Sequence, residues 1–232
     1  HAGQTAKIMM AFEEVCRNEK PDLVLVVGDV NSTLACSIVA KKLLIEVAHV
    51  EAGLRSFDNS MPEEINRVVT DAISDYFFVT EESGVVNLLR EGKRKERVHF
   101  VGHVMIDNLV HQMRKLEHDH VERFPTFRLK HEHRLYAFLT LHRPSNVDDQ
   151  RAFSQIAEAL NTLAEARPIF FPMHPRTKKM ADRFGITFSD RIISLPPLSF
   201  QESLFLWKDA EVVLTDSGGL QEETTALGVP CV

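Results

Sequence analysis

Residues 49–55 read HVEAGLR, so a histidine, a carboxylate and an arginine follow directly on an apolar run. The ends of strands in parallel sheets are where loops carry reactive groups, which makes Glu51 a candidate acid or base; a solvated loop acid is the plainer alternative. Upstream, VVGDVNSTLA sets Asp29 at the end of another apolar run. Asn31 or Ser32 suffices to cap the helix that follows, so capping does not account for Asp29. MPEEINRVVTD adds Glu63 and Glu64. Both suit the first turn of a helix, where acids complement the dipole, and at least one is expected to do only that. Further on, LTLHRPSNV places His142 and Arg143 after an apolar run, and FPMHPRT repeats the pattern with His174 and Arg176. Such groups would complement an anionic ligand.

The strongest local signal is VVLTDSGGLQEETTALG, in which Asp216, Ser217, Gly218 and Gly219 join a strand to a helix. Two readings stand. Two glycines let a phosphate approach the backbone and meet the first helical amides. Equally, Ser217 could be an ordinary N-cap with a tight turn. Glu222 and Glu223 fall in the first helical turn. One could accept from a ribose diol, or both could complement the dipole.

For these groups to act together, regular elements must bring strand ends to one place. The chain alternates accordingly. Helices are expected over Thr5–Glu19, Ser32–Leu44 and the segment from Met61, whose Ile65, Val68, Val69, Ala72 and Ile73 share one face. Strands are expected at PDLVLVV, buried on both faces, and at EVAHV, DYFFVT and RVHFVG. Residues 112–134 carry many charges and read as a helix end, a linker and the approach to a second domain. Alternation then resumes with LYAFLTL, a helix from about Asp149 to Ala166, IFFPM, RIISL, a helix around Phe200–Lys208, EVVLT and the helix after DSGG. Repeated units of this kind predict an α/β protein of two Rossmann-like, doubly wound parallel-sheet domains, residues 1–118 and 119–232, facing a cleft lined by strand ends.

Composition narrows the function class. Of 232 residues, 44% are hydrophobic and 26% charged, with a formal net charge of −6 and no basic block. Nucleic acid and an anionic membrane are not the expected partners. Cys16, Cys36 and Cys231 form no paired framework and read as reduced thiols of a cytosolic protein. His118, His120, His131 and His133 fall in the charged segment without zinc-type spacing, so no metal site is expected. The chain opens inside a helix without an initiator methionine and stops as LGVPCV begins a strand, which suggests a fragment incomplete at both ends.

Taken in order, GDVNSTLA, HVEAGLRSFD, MPEEINRVVTD, LTLHRPSNVD, HPRT and LTDSGGLQEE with LGVPCV resemble the non-hydrolysing UDP-N-acetylglucosamine 2-epimerases. The resemblance runs end to end. It implies a two-domain fold of the GT-B type and reversible interconversion of UDP-GlcNAc and UDP-ManNAc, with no cofactor. It implies a second, regulatory UDP-GlcNAc, a cytoplasmic homodimer and a place in cell-surface polysaccharide biosynthesis. By the same resemblance Asp29, Glu51, Glu63 and His142 are catalytic. Ser217, Gly218 and Gly219 hold the diphosphate, Glu223 the ribose, and Arg143, His174 and Arg176 contact the nucleotide sugar. The family's first strand, its basic glycine–arginine–proline loop and the region after Val232 have no counterpart here. A hydrolysing epimerase releasing UDP and ManNAc, a glycosyltransferase and a non-catalytic nucleotide-sugar-binding module remain the alternatives.

Overall fold

The structure, a computed structural model, describes residues 1–232. The chain divides into two compact units, His1–Val104 and Met105–Val232.

The first unit runs α1 (Ala2–Glu19), β1 (Leu23–Val27), α2 (Asn31–Lys42), β2 (Glu46–Val50), α3 (Pro62–Ile73), β3 (Tyr76–Val79), α4 (Glu82–Arg90) and β4 (Val98–Phe100). All four strands are parallel, in the order β1-β2-β3-β4. Two expectations need correction. β1 is not buried on both faces. Val24 and Val26 pack with Ala40 and Val47, while Leu23, Leu25 and Val27 on the other face are exposed. An outermost strand packed on one side buries only alternate residues.

The second correction concerns α3, whose amphipathic sense is reversed. Its buried residues are Glu64, Asn66, Thr70 and Asp71, whereas Ile65 and Val68 are 51% and 41% exposed. The polar face turns inward because the turns at the strand ends offer it amides, hydroxyls and cations. Glu64, Asn66 and Asp71 find partners there, which makes their burial tolerable; the Thr70 hydroxyl finds none.

The second unit takes α5 (Val104–His118), α6 (Phe127–Glu132), β5 (Ala137–Thr140), α7 (Pro144–Val147), α8 (Gln150–Ala166), β6 (Ile169–Pro172), α9 (Pro175–Phe184), β7 (Ile192–Leu195), α10 (Phe200–Trp207), β8 (Val212–Thr215) and α11 (Gly218–Leu227). Its sheet is also parallel, in the order β7-β6-β5-β8. The continuous burial of Ala137–Leu139 and Ile169–Phe171 marks strands covered on both faces.

The units divide at the start of α5, between Val104 and Met105, where the charge pattern suggested a boundary after His118. Leu109 and Leu116 of α5 pack with Tyr136, Phe138 and Trp207 of the second unit. Nor are residues 112–134 a loose linker. Phe124, Phe127 and Leu129 lie against the same core, and Glu202 accepts from the Thr126 amide at 3.2 Å and its hydroxyl at 2.8 Å. The surrounding charges mask a sparse apolar pattern.

All three cysteines are free. No three histidine, cysteine or acidic residues gather as metal ligands, and no helix is long and apolar enough to cross a membrane.

Candidate functional site

In the second unit, chain order reverses at β5, which has β6 on one side and β8 on the other. Ligands of open α/β sheets bind beyond the carboxyl ends of strands at such a point. The two strands are in register, Thr140 opposite Thr215, with their hydroxyls 2.5 Å apart. His142 and Arg143 leave β5 here, and Asp216 and Ser217 leave β8.

Asp216 organises the place. Its carboxylate accepts from the His142 amide at 2.9 Å, the Arg143 amide at 2.7 Å and the Asn146 side-chain amide at 3.2 Å. Its Oδ1 lies 2.9 Å from His142 Nδ1. A carboxylate oxygen accepts, so His142 Nδ1 is the nitrogen that donates to it and Nε2 is the atom left to work with. The His142 side chain is 44% exposed.

At α11, both readings of the loop are compatible with what is seen. The Ser217 hydroxyl caps the helix by accepting from the Leu220 amide, and the Ser217 carbonyl accepts from Gln221. The amides of Gly218 and Gly219 have no acceptor within the chain, as expected of a first helical turn open to an anion. A Cβ built on Gly218 would stand 3.8 Å from Arg143 Nη2, so a guanidinium flanks those amides. Beside them opens a cavity of about 470 Å³, lined by His142, His174, Ser217, Gly219 and Glu223 and walled by Leu198, Phe200 and Trp207.

Glu223 is only 8% exposed. Burial, and secondarily the charge of Glu222, pushes its carboxyl above the usual range. His174 caps α9, its Nδ1 accepting from the Arg176 amide at 3.1 Å, which leaves hydrogen on Nε2. Arg176 itself is not brought to this cavity. Its guanidinium pairs with Asp148, and it lines a separate groove with Lys179 and Arg183.

The first unit gathers its acids at the ends of β1 and β2. Asp29 Oδ2 meets Arg67 Nη2 at 2.5 Å, and its backbone carbonyl accepts from Asn66 at 2.7 Å. Glu51 follows β2 directly and holds a left-handed backbone at φ 72°. A Cβ on Gly28 would lie 3.4 Å from Glu51 Oε2, so the Glu51 carboxylate lies against the residue preceding Asp29.

The neighbouring acids of α3 divide. Glu64 is 2% exposed and accepts from the Ser56 amide and hydroxyl, the Phe57 amide and Arg67. Burial alone would raise its carboxyl, but these donors outweigh it and hold the group below its ordinary value. Glu63, half-buried, makes no such bond. Sequence reasoning missed Arg67 and Asp71, and named Asp216 without giving it a role. For α3 the signal was available, since Glu64, Arg67 and Asp71 form a polar stripe at helical spacing.

Comparison with known proteins places these features in a group. All of residues 1–232 match the protein family described as UDP-N-acetylglucosamine 2-epimerase. A UDP-N-acetylglucosamine 2-epimerase of Methanocaldococcus jannaschii is 43% identical over 239 residues, covering 100% of this chain and 65% of the relative. A UDP-2,3-diacetamido-2,3-dideoxy-D-glucuronate 2-epimerase of Pseudomonas aeruginosa is 38% identical over 235 residues, covering 100% and 64%. The crystal structure of the M. jannaschii UDP-GlcNAc 2-epimerase in complex with UDP-GlcNAc and UDP superposes with a TM-score of 0.85 at 42% identity, over 98% of this chain and 64% of that one. The chain thus spans about 65% of the length of the curated relative from M. jannaschii.

Proposed function

The chain belongs to the UDP-N-acetylglucosamine 2-epimerase family, and from that premise we propose that it serves the reversible epimerisation of UDP-GlcNAc to UDP-ManNAc at carbon 2. The observation that carries this reading is the meeting, at one switch point, of two open glycine amides with a histidine fixed by Asp216. A diphosphate is the ligand such a helix start and its flanking Arg143 suit best. Glu223, in the same cavity, is assigned the ribose hydroxyls.

The chemistry explains the remaining groups. A proton on sugar carbon 2 is not acidic, so its direct removal is slow. In the proposed route a carboxylate takes that proton while the bond from carbon 1 to the diphosphate oxygen breaks. The electron pair of the former C–H bond becomes the C1–C2 double bond of a 2-acetamidoglucal, and UDP leaves with the pair from the broken C–O bond. Protonation of carbon 2 on the opposite face and return of the UDP oxygen to carbon 1 complete the exchange. Atoms and electrons balance without any oxidant.

Asp29, Glu51 and Glu63 are assigned the proton transfers. Their surroundings differ: Asp29 is paired with a cation, Glu51 lies against a backbone turn, and Glu63 is unbonded. Unequal environments are how several carboxylates come to play acid and base at one pH. His142, Arg143 and the glycine amides are assigned the growing charge on the departing diphosphate.

Product analysis tests the proposal. Incubated with UDP-GlcNAc, this chain extended to the length of its relatives is expected to give UDP-ManNAc, and to regenerate UDP-GlcNAc from UDP-ManNAc. UDP with free ManNAc would instead mark a hydrolysing enzyme, and no turnover with intact UDP binding would mark a binding module. UDP-2,3-diacetamido-2,3-dideoxyglucuronate, assayed in parallel, decides which sugar is preferred.

A further inference from the structure

A charge network lies behind Asp29 and Glu51, and neither its histidine nor its aspartate has a part in the chemistry above. His49 sits on β2 in register with Val26 of β1 and Phe77 of β3, and its side chain is wholly buried. Both ring nitrogens face acceptors. Nε2 lies 2.9 Å from the Gly28 carbonyl and Nδ1 lies 2.7 Å from Asp71 Oδ1. A carbonyl can only accept, so Nε2 carries hydrogen.

At Nδ1, one proton must lie on nitrogen or on Asp71. The other Asp71 oxygen accepts from the Gly53 amide at 3.0 Å and meets Arg55 Nη1 at 2.7 Å. Asp71 thus joins the His49 ring to the Gly53 turn and to Arg55. Arg55 continues the chain with two bonds to Glu91, at 2.9 Å and 2.7 Å. Burial would lower the Arg55 guanidinium, but Glu91 and Asp71 together hold it above its ordinary value. The chain thus runs from the buried His49, Asp71 and Arg55 side chains out to Glu91, whose side chain is 37% exposed.

The partners of this chain are the two turns that carry the acids. His49 grips the carbonyl of Gly28, next to Asp29. Asp71 grips the amide of Gly53, two residues past Glu51. Between them, Glu51 is held with positive φ, a conformation that a non-glycine residue keeps only when its surroundings enforce it. A Cβ on Gly53 would approach the Gly84 carbonyl oxygen to 2.4 Å, so this turn has no room to relax.

We infer that His49 and Asp71 are a positioning pair that sets the Asp29 and Glu51 turns relative to each other. The inference rests on the acid–base reading of those two residues.

Two variants test it. In Asp71→Asn, the new amide still accepts from Gly53 and Arg55 but turns an NH2 toward Nδ1, which loosens the His49 side of the pair. His49→Gln keeps a donor for the Gly28 carbonyl and loses the contact to Asp71, so the reading does not hang on one variant folding. Turnover of each folded variant is expected to fall about tenfold or more, with KM for the nucleotide sugar within about twofold. Parent-like turnover in either folded variant overturns the positioning role, as does a loss carried by KM alone. Absence of epimerase activity in the parent would overturn the functional reading itself, an outcome distinct from those.

Discussion

Asp216 holds His142 twice, by the ring at 2.9 Å and by the backbone amide at 2.9 Å. One carboxylate therefore fixes both the tautomer of the imidazole and the path of the chain that presents it. Asp216→Asn can keep the backbone contacts through its carbonyl but can turn an amide toward Nδ1, reversing the tautomer. The expected result is a fall in kcat of about tenfold or more with UDP affinity nearly unchanged. Steady-state kinetics beside UDP calorimetry check it, and equal losses in both would assign Asp216 to nucleotide binding alone.

Gly218→Val and Ser217→Ala are expected to weaken UDP binding, the glycine change more severely. The Gly218 backbone is not in the left-handed region and its nearest neighbour to an added Cβ is 3.8 Å away, so the variant should fold. What a branched side chain obstructs is the approach of a phosphate to the open amides. Ser217→Ala removes a helix cap, for which about 1 kcal/mol of stability is typical. Unchanged UDP affinity in folded Gly218→Val would remove this loop from the diphosphate site.

Asp29→Asn, Glu51→Gln and Glu63→Gln should lose far more turnover than binding if, as in the proposed route, these acids act on the sugar as the transition state forms. Glu64→Gln should behave differently and lose stability. The Glu64 carboxyl is held below its ordinary value of 4.5 by Ser56, Arg67 and Phe57 against the opposing effect of burial. A depressed carboxyl stabilises the fold at pH above its unfolded value, and that contribution disappears as pH falls through the folded value. The melting difference between parent and Glu64→Gln is therefore expected to be large at neutral pH and to shrink in acid below the unfolded value. A difference independent of pH would contradict the assignment.

Glu223 runs the other way. Burial and Glu222 raise its carboxyl above 4.5, so ionised Glu223 opposes folding, and this penalty grows as pH rises from the unfolded toward the folded value. Glu223→Gln is expected to melt higher than the parent at neutral pH, with the gain vanishing below the unfolded value, and to bind UDP more weakly. Thermal melts and UDP titrations read the two effects separately. Tighter UDP binding in Glu223→Gln would exclude the ribose assignment.

Much of this arrangement was legible in the sequence because strand ends announce themselves. The apolar runs before Asp29, Glu51, His142 and Asp216 are strands, and each residue stands just beyond its carboxyl end. What was not legible depends on partners distant in the chain. Ile65, Val68 and their neighbours were read as one face of α3, yet the helix turns in Glu64, Asn66, Thr70 and Asp71, and the partners of Glu64, Asn66 and Asp71 lie outside it. Periodicity shows that a helix has two faces and gives no rule for a buried face that is polar. The helix Pro175–Phe184 went unread because five of its ten residues are charged and its buried side is only Thr177, Met180 and Ala181. The charged segment before β5 hid Phe124, Phe127 and Leu129 for the same reason.

The central claim is that carbon 2 is deprotonated and reprotonated by side chains that exchange with solvent. The direct measurement is to incubate the protein with UDP-GlcNAc in heavy water and follow carbon 2 by NMR. Carboxylates handing a proton between the faces of the sugar predict deuterium at carbon 2 of the UDP-ManNAc formed, and of the UDP-GlcNAc returned from it. Epimer formed with full retention of the original hydrogen would contradict the elimination route.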